Sequence, residues 1–483
     1  MADFLSPLPP LQAAPVPAAA RLAYVLRHFG LAYETQGELP TIGYTGSQPV
    51  IEVADGAGRF FEQTAPYPPE PAFREWQGRS IPFFFDPNPA GPLLTLSPGR
   101  AEIHADVLAG AFYLLSGWQE YYSDERDPHG RFPFVASVQY RYGFVTVPVV
   151  NYYFDVLRTA VEHVTGQPLR PRRWGEARAP FATFVTHDID NLYSAWKAPA
   201  KAALRRRDWL GFGRQLWQHL TRPDAWNNLA QVRQAVAEHG AVSTFFLLPE
   251  HRKTANGTPN ADYRIRRVWP KLTAALGDAE VGLHASYGTS RQGGQLKSEE
   301  HRLQHLQAGQ KAYGIRFHYL HWEPRITPTL LDTLLYEYDT TLGFAEHFGF
   351  RHSYCLPFYP YNLAHNRGIL PASFDFAQRP GAFTLELHPD QSCGFLEIPL
   401  NLMDATLHHP RYLQLAPDEI LPAVEPMLRE IERFGGVFTL LWHNENFDPA
   451  NELNGPREFH RIMAYLRNRQ TAFLTGRQIR ESM

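Results

Sequence analysis

A chain of 483 residues exceeds what one ordinary core supports, so two folded units are expected, and 44% hydrophobic with 13% aromatic residues excludes global disorder. A formal net charge of -3, from 46 Lys and Arg against 49 Asp and Glu, gives no reason to expect a nucleic-acid or membrane-surface partner chosen by bulk charge. The two cysteines, Cys355 and Cys393, exclude a disulfide framework and a cysteine-ligated metal site, since no Cys-x-x-Cys occurs.

The chain opens on MADFLSPLPPLQAAP, which has neither a basic stretch nor a continuous apolar run of the kind that marks a secretory signal. No run of ~18 apolar residues follows, so no membrane span is expected and the location expected is cytoplasmic. Residues 1–19, rich in Pro and Ala, read as a flexible lead-in, and RLAYVLRHFGL then begins a helix by its three- and four-residue apolar spacing. Strand-like runs follow at Ile51–Val53 and Ile81–Phe85. Asp106–Tyr122 reads as one helix, apolar around most of its circumference and therefore buried. These elements make residues 20–170 a smaller α/β unit of unknown role, and Gly175–Pro180 reads as a linker.

From residue 180 to 483 the pattern changes. FATFVTHDID (181–190) reads as a buried strand with polar residues at its end, and a basic, Trp-containing helical stretch covers 196–220. Strands and helices then alternate: Val242–Leu248, a helix over 265–276, Glu280–His284, a helix over 297–313, Arg316–Leu320, a helix over 327–336, Phe395–Leu400, a helix over 417–434 and Val437–His443. Repeated strand–helix–strand units imply a parallel sheet or barrel with right-handed crossovers.

Polar residues recur at the ends of those strands, where α/β barrels build their sites. Asp188 and Asp190, two apart on a strand, point to one side, and paired carboxylates call for a cation or a shared proton. One can be a metal ligand and the other a general base; Asp190-Asn191 equally suits a helix cap. His284 closes a later strand and gains meaning only beside a carboxylate from another strand, a common ligand set for Zn²⁺. Ser286 and Tyr287 after it can offer hydroxyls to a site or simply start a turn. Arg316 and His318 share a face if their segment is a strand. Arg316 can then clamp a carboxylate and His318 can be a third ligand, or both can belong to a buried polar network. His443 at the last strand end suits a general acid or a loop cap, with Trp442 and Asn444 beside it. Arg205-Arg206-Arg207 reads as a solvated helix face that can also meet an anionic glycan or lipid head group. No Walker-type loop, Gly-x-Gly-x-x-Gly or Gly-x-Ser-x-Gly is present.

In order, these motifs resemble those of a divergent polysaccharide deacetylase, related to the family 4 carbohydrate esterases. Thr186-His187-Asp188-Ile189-Asp190 is similar to the family's Thr-Phe-Asp-Asp, Ser243-Thr244-Phe245-Phe246 to its Thr-Phe-Phe strand, Arg316-Phe317-His318-Tyr319 to its Arg-x-Pro-Tyr, and Leu440-Leu441-Trp442-His443 to its Leu-x-x-His. The family's His-Ser/Thr-x-x-His begins at His284 but meets Gly288 where the second histidine stands, and His318 is the candidate replacement. A bacterial subgroup with His-Asp-x-Asp, and with segments like Tyr338–Phe344, Glu397-Ile398-Pro399-Leu400 and Leu441–Asn444, resembles the chain most, including a poorly characterised α/β domain like residues 20–165.

The resemblance implies a distorted (β/α)₇ barrel, one divalent metal ion, Zn²⁺ or else Mn²⁺, Co²⁺ or Ni²⁺, and a carbohydrate substrate that loses an acetyl group. It implies Asp188 as base, Arg316 as the group that steadies it and His443 as general acid, with Asp190, His284 and His318 on the metal; the inserted Ile189 leaves open a swap of the two aspartates. Ser286, Tyr287, Tyr319, Trp442 and Asn444 are the expected substrate contacts. A non-catalytic glycan-binding protein, motivated by Gly288, and an amidase for a small N-acyl or cyclic amide are the competing readings. Oligomeric state is not expressed in the sequence.

Overall fold

The computed structural model describes residue 11 and residues 15–34, 39–364, 392–451 and 455–483. Most of the expected lead-in, residues 1–10 and 12–14, lies outside them, but Val16 is buried and its backbone N–H donates to Phe61 O.

The first part of the chain sets a small mixed sheet, in the order Ile42–Tyr44, Ile51–Val53, Arg100–Ile103, Leu94–Ser97, beside the helices Ala18–Ala32, Val107–Leu115 and Val149–Thr165. The single helix expected over 106–122 is two, Val107–Leu115 and Trp118–Tyr122. Gly117 between them has φ 65°, a left-handed turn that ends the first helix, and a Cβ there would meet His352 Nε2 at 3.0 Å. Asp106 opens the first of the pair by accepting from Ala109 N at 2.9 Å.

The rest is built on a nine-stranded sheet, parallel at every pairing. In chain order its strands are β1 (Ala182–Ile189), β2 (Ser243–Leu247), β3 (Glu280–Ala285), β4 (Gly314–Phe317), β5 (Tyr338–Asp339), β6 (Leu396–Glu397), β7 (Leu402–Met403), β8 (Val437–Leu441) and β9 (Ala472–Phe473). They lie in the order β6-β5-β4-β3-β2-β1-β8-β7, with β9 also on β1. The two edge strands, β6 and β7, are separated in sequence only by residues 398–401. A flat sheet of that order would hold them ~33 Å apart, further than so short a connection reaches, so the sheet must curl into a barrel. Ile398 N donates to Asp339 O and Asn401 N to Thr439 O, so the connection bonds to strands on both sides of the seam.

Expected and observed elements differ in three places that matter below. The strand read as Arg316–Leu320 ends at Phe317; His318–Leu320 is a tight turn in which Tyr319 and Leu320 have φ of 60° and 55°. The helix placed over 297–313 runs from Gly293 to Leu306, starting at a Gly-Gly pair that reads as a turn. The 196–220 stretch is a hairpin of two helices, Lys197–Arg205 and Trp209–Thr221.

One hydrophobic cluster runs from Val16 to Leu466 and spans both parts of the chain. Tyr24, Phe112 and Tyr361 meet edge to face across it. The fully buried pair Glu120–Arg351 makes a two-pronged ion pair across the same seam.

Candidate active site

Alternation along β1 sends Thr186, Asp188 and Asp190 to one side and His187 to the other, where its ring packs against Phe245, Phe447 and Phe459. Register places His284 of β3 opposite Arg316 of β4. Both are fully buried, and both side chains reach the carboxylates at the end of β1.

Arg316 is held at every prong. Its Nε donates to Thr340 O (2.9 Å), Nη2 to Thr340 Oγ1 (3.1 Å), and Nη1 to Thr186 Oγ1 (2.8 Å) and Asp188 Oδ1 (2.9 Å). Its guanidinium lies 4.7 Å over the Phe246 ring, and a Cβ on Gly282 would strike that ring at 2.4 Å. Asp188 is thus fixed by one oxygen, while its Oδ2 stands 3.7 Å from His284 Nε2.

The imidazoles are oriented from behind. His284 Nδ1 faces Arg316 O at 3.0 Å, and a carbonyl can only accept, so the Nδ1 proton is fixed there and the neutral ring presents its lone pair at Nε2. His318 Nδ1 faces Asn260 Oδ1 at 3.4 Å with the same consequence. The two Nε2 atoms converge on Asp190, at 3.2 Å from Oδ1 and 3.5 Å from Oδ2. Asp190 Oδ1 is buried and has no hydrogen-bond partner among the described residues. Asp190, His284 and His318 therefore offer ligand atoms all within 4.8 Å of one another. Lone pairs facing a carboxylate with no proton fixed between them suit a cation, and this donor set suits a divalent metal. Burial works to raise the Asp190 carboxyl, but His318 and His284 outweigh it and hold it well below the usual range. Burial likewise works to lower His284, and Asp188 and Asp190 raise it; the field that draws a proton to His284 is one that attracts a metal ion.

His443 follows β8 with its Nε2 3.9 Å from Asp190 Oδ2. Asp404, which opens the short helix after β7, accepts from His443 Nδ1 (2.7 Å), His443 N (2.6 Å) and Asn446 Nδ2 (2.6 Å). Burial alone lowers the His443 imidazole; Asp404, with Asp190 and Asp188 behind it, raises it to about 10.

The structure brings Asp188, Asp190, His284, Arg316, His318 and His443 together, and separates the expected substrate contacts. Tyr287 and Tyr319 stand at the rim, their rings 5.8 Å apart and perpendicular. Ser286 is buried, with its backbone N and hydroxyl both donated to Glu299. Trp442 is fully buried against Phe459. Asn444 is buried and spends its side-chain N–H groups on Asn191 O and Trp226 O.

Asp404, Asn446 and Asn260 escaped sequence reasoning. Asp404 carried the signal used for the others, an acid just after a strand, but its strand is only two residues long. The loop Ser123–Arg131, far away in sequence, also reaches the rim. His129 stacks on Tyr319 at 4.9 Å, Tyr287 Oη donates to His129 O (3.2 Å), and Arg131 Nη1 donates to Tyr319 O (3.1 Å).

Residues 23–166 match a family of unknown function (DUF7033). No curated protein matches the chain. Among solved structures, a protein assigned as a polysaccharide deacetylase from Mycobacterium smegmatis is similar at 16% identity and TM-score 0.39, over 65% of this chain and 93% of that one. Puue allantoinase is similar at 11% identity and TM-score 0.39, over 65% and 93%. A protein assigned as a polysaccharide deacetylase from Pseudomonas aeruginosa PAO1 is similar at 11% identity and TM-score 0.39, over 65% and 94%. At these scores no activity passes from those proteins to this one.

Proposed function

We propose that the chain is a metal-dependent hydrolase that removes an acetyl group from an N- or O-acetylated sugar or polysaccharide precursor. The observation that carries the reading is the donor set: the Asp190 carboxylate, one oxygen of which has no hydrogen-bond partner among the described residues, with the Nε2 of His284 facing one oxygen and that of His318 the other. An Arg-clamped carboxylate and a carboxylate-backed imidazole stand on either side of it.

A divalent cation held by Asp190, His284 and His318, Zn²⁺ first and Mn²⁺, Co²⁺ or Ni²⁺ with the same donors, supplies Lewis acidity toward an acyl carbonyl and lowers the pKa of water. Asp188 accepts the proton of the attacking water through the oxygen that Arg316 leaves free. Arg316, bonded to its other oxygen, holds that carboxylate in place and aims it. His443, protonated by virtue of Asp404, donates its Nε2 proton to the departing nitrogen or oxygen as the acyl bond breaks. Acetate and a free amine or alcohol leave.

In this reading residues 180–483 carry the chemistry, and residues 20–170, which share a hydrophobic core with them, supply one wall of the substrate path through the Ser123–Arg131 loop, beside Tyr287 and Tyr319. That wall also favours a second reading, an amidase for a small N-acyl or cyclic amide, because it narrows the approach. Acetate release from N- and O-acetylated oligosaccharides, beside turnover of small amides, separates the two. Asp188→Asn is expected to lose about 10²–10⁴-fold in kcat while retaining metal. An unchanged rate in that variant would remove Asp188 from the reaction.

A further inference from the structure

Between β1 and β2 the chain builds the helical hairpin Lys197–Arg205 and Trp209–Thr221. The second helix is amphipathic, with Trp209, Leu210, Leu216, Trp217 and Leu220 on one side at helical spacing. A surface helix of a globular protein turns such a side inward. This one turns it outward: the five side chains are 69%, 89%, 37%, 68% and 72% exposed, and no residue of the helix is buried. The partly covered residues are Gly211, Phe212, Gln215, Gln218 and His219, and His219 stacks on Trp196 at 4.5 Å. A mostly polar side, with Phe212 on it, leans on the protein, and the side carrying Trp209, Leu210, Leu216, Trp217 and Leu220 meets solvent.

The charge around this face is equally one-sided. Residues 197–222 hold seven Lys and Arg and a single acid, Asp208, whose carboxylate is engaged in capping Gly211 N at 2.8 Å. Lys197 donates to Ser194 Oγ; among the described residues no carboxylate pairs with Lys201, Arg205, Arg206, Arg207, Arg214 or Arg222. A net charge of -3 over the whole chain conceals this local excess.

We infer that the hairpin docks on an anionic lipid surface, with the Trp and Leu side chains entering the boundary between head groups and acyl chains and the Lys and Arg side chains meeting lipid phosphates. Exposed Trp and Leu flanked by unpaired cations match an interfacial helix. A second copy of the same hairpin would bring like charges together, and a nucleic acid would leave the leucines without a partner. No helix among the described residues is long and apolar enough to cross a membrane, so the contact is interfacial. The root of the hairpin is pinned next to the candidate site: Leu192 N, Tyr193 N and Ser194 Oγ all donate to Asp262, at 2.8, 2.8 and 2.6 Å. Docking therefore holds the end of β1, and with it Asp190, close to the lipid surface. The inference does not rest on the reaction proposed above.

Flotation of the full chain with phosphatidylcholine vesicles, and with vesicles containing about one-third phosphatidylglycerol, tests it. Partition onto the anionic vesicles is expected to exceed that onto neutral ones by about tenfold, to fall as salt rises from roughly 0.1 to 0.5 M, and to come with quenching of Trp fluorescence by brominated acyl chains. Trp217→Ser with Leu220→Ser, both solvent-facing and so neutral to the melting temperature, is expected to lose at least about tenfold of that partition. Arg205→Gln with Arg206→Gln is expected to lower the preference for anionic lipid. Failure of the wild type to float with anionic vesicles would overturn the inference, as would equal partition of the Trp217 and Leu220 double variant. Self-association removed by that double variant, without vesicle binding, would assign the face to a second copy and overturn it too.

Discussion

Asp404 governs what His443 can do. Its two oxygens accept four hydrogen bonds, two of them from His443 itself, so it fixes the ring and is the main charge that raises the imidazole. Asp404→Asn keeps the shape and loses the charge. If His443 is the proton donor of the proposed reaction, it is expected to lower kcat by about 10²-fold or more with KM little changed, because the donor is affected and the bound geometry is not. Steady-state kinetics on an acetylated oligosaccharide that the wild type turns over checks this. Glu120 makes a similar point for stability. Burial works to raise its carboxyl, but Arg351 outweighs it and holds it below the ordinary range. A folded-state pKa below the unfolded one gives stability that is present above the unfolded carboxylate value and lost as pH falls through the folded one. Glu120→Gln, which leaves Arg351 buried without its partner charge, is expected to cost about 3–5 kcal/mol at pH 7. The gap from wild type should close as the solution is acidified below the usual carboxylate range, and denaturant titrations across pH measure it.

At the scale of elements, the turn after β4 is the least ordinary feature of the site. Tyr319 and Leu320 are successive non-glycine residues with positive φ, directly after His318. Conformations of this kind cost of order 1–3 kcal/mol each and persist only where the surroundings impose them. Arg131 supplies part of that: Asp127 accepts its Nε at 2.7 Å, and its Nη1 bonds Tyr319 O. Arg131→Ala is expected to weaken metal affinity by about 10–100-fold, the range seen when a ligand loses its supporting contacts, and competition with a chelator reads it directly. No sequence pattern announced this turn. Arg316-Phe317-His318 reads as a strand by alternation, and the residue that holds the turn lies 188 positions away. The long strands β1, β2, β3 and β8 and the helix Pro417–Phe434 are legible because apolar periodicity is sustained through each. The break at Gly117 is not, because apolar residues continue on both sides of it. Ser286, Trp442 and Asn444 stand at strand ends as the candidate ligands do, and only the structure shows their packing against Glu299, Phe459, Asn191 and Trp226.

Across the whole molecule, curling of the sheet is what turns scattered strand ends into one site. Asp188 comes from β1 and Asp190 from just beyond it, His284 from β3, Arg316 from β4, and His443 and Asp404 from beyond β8 and β7. These converge because the short 398–401 segment joins the two edges of the sheet. In the proposed reaction this convergence holds a metal. Metal analysis of the purified protein, wild type beside His284→Ala, tests it most directly. About one equivalent of divalent metal in the wild type and little in the variant is the expected result. Equal metal in both proteins would remove His284 from the site, and no metal in either after incubation with Zn²⁺ would contradict the proposed reaction and favour a barrel that binds a glycan without hydrolysing it.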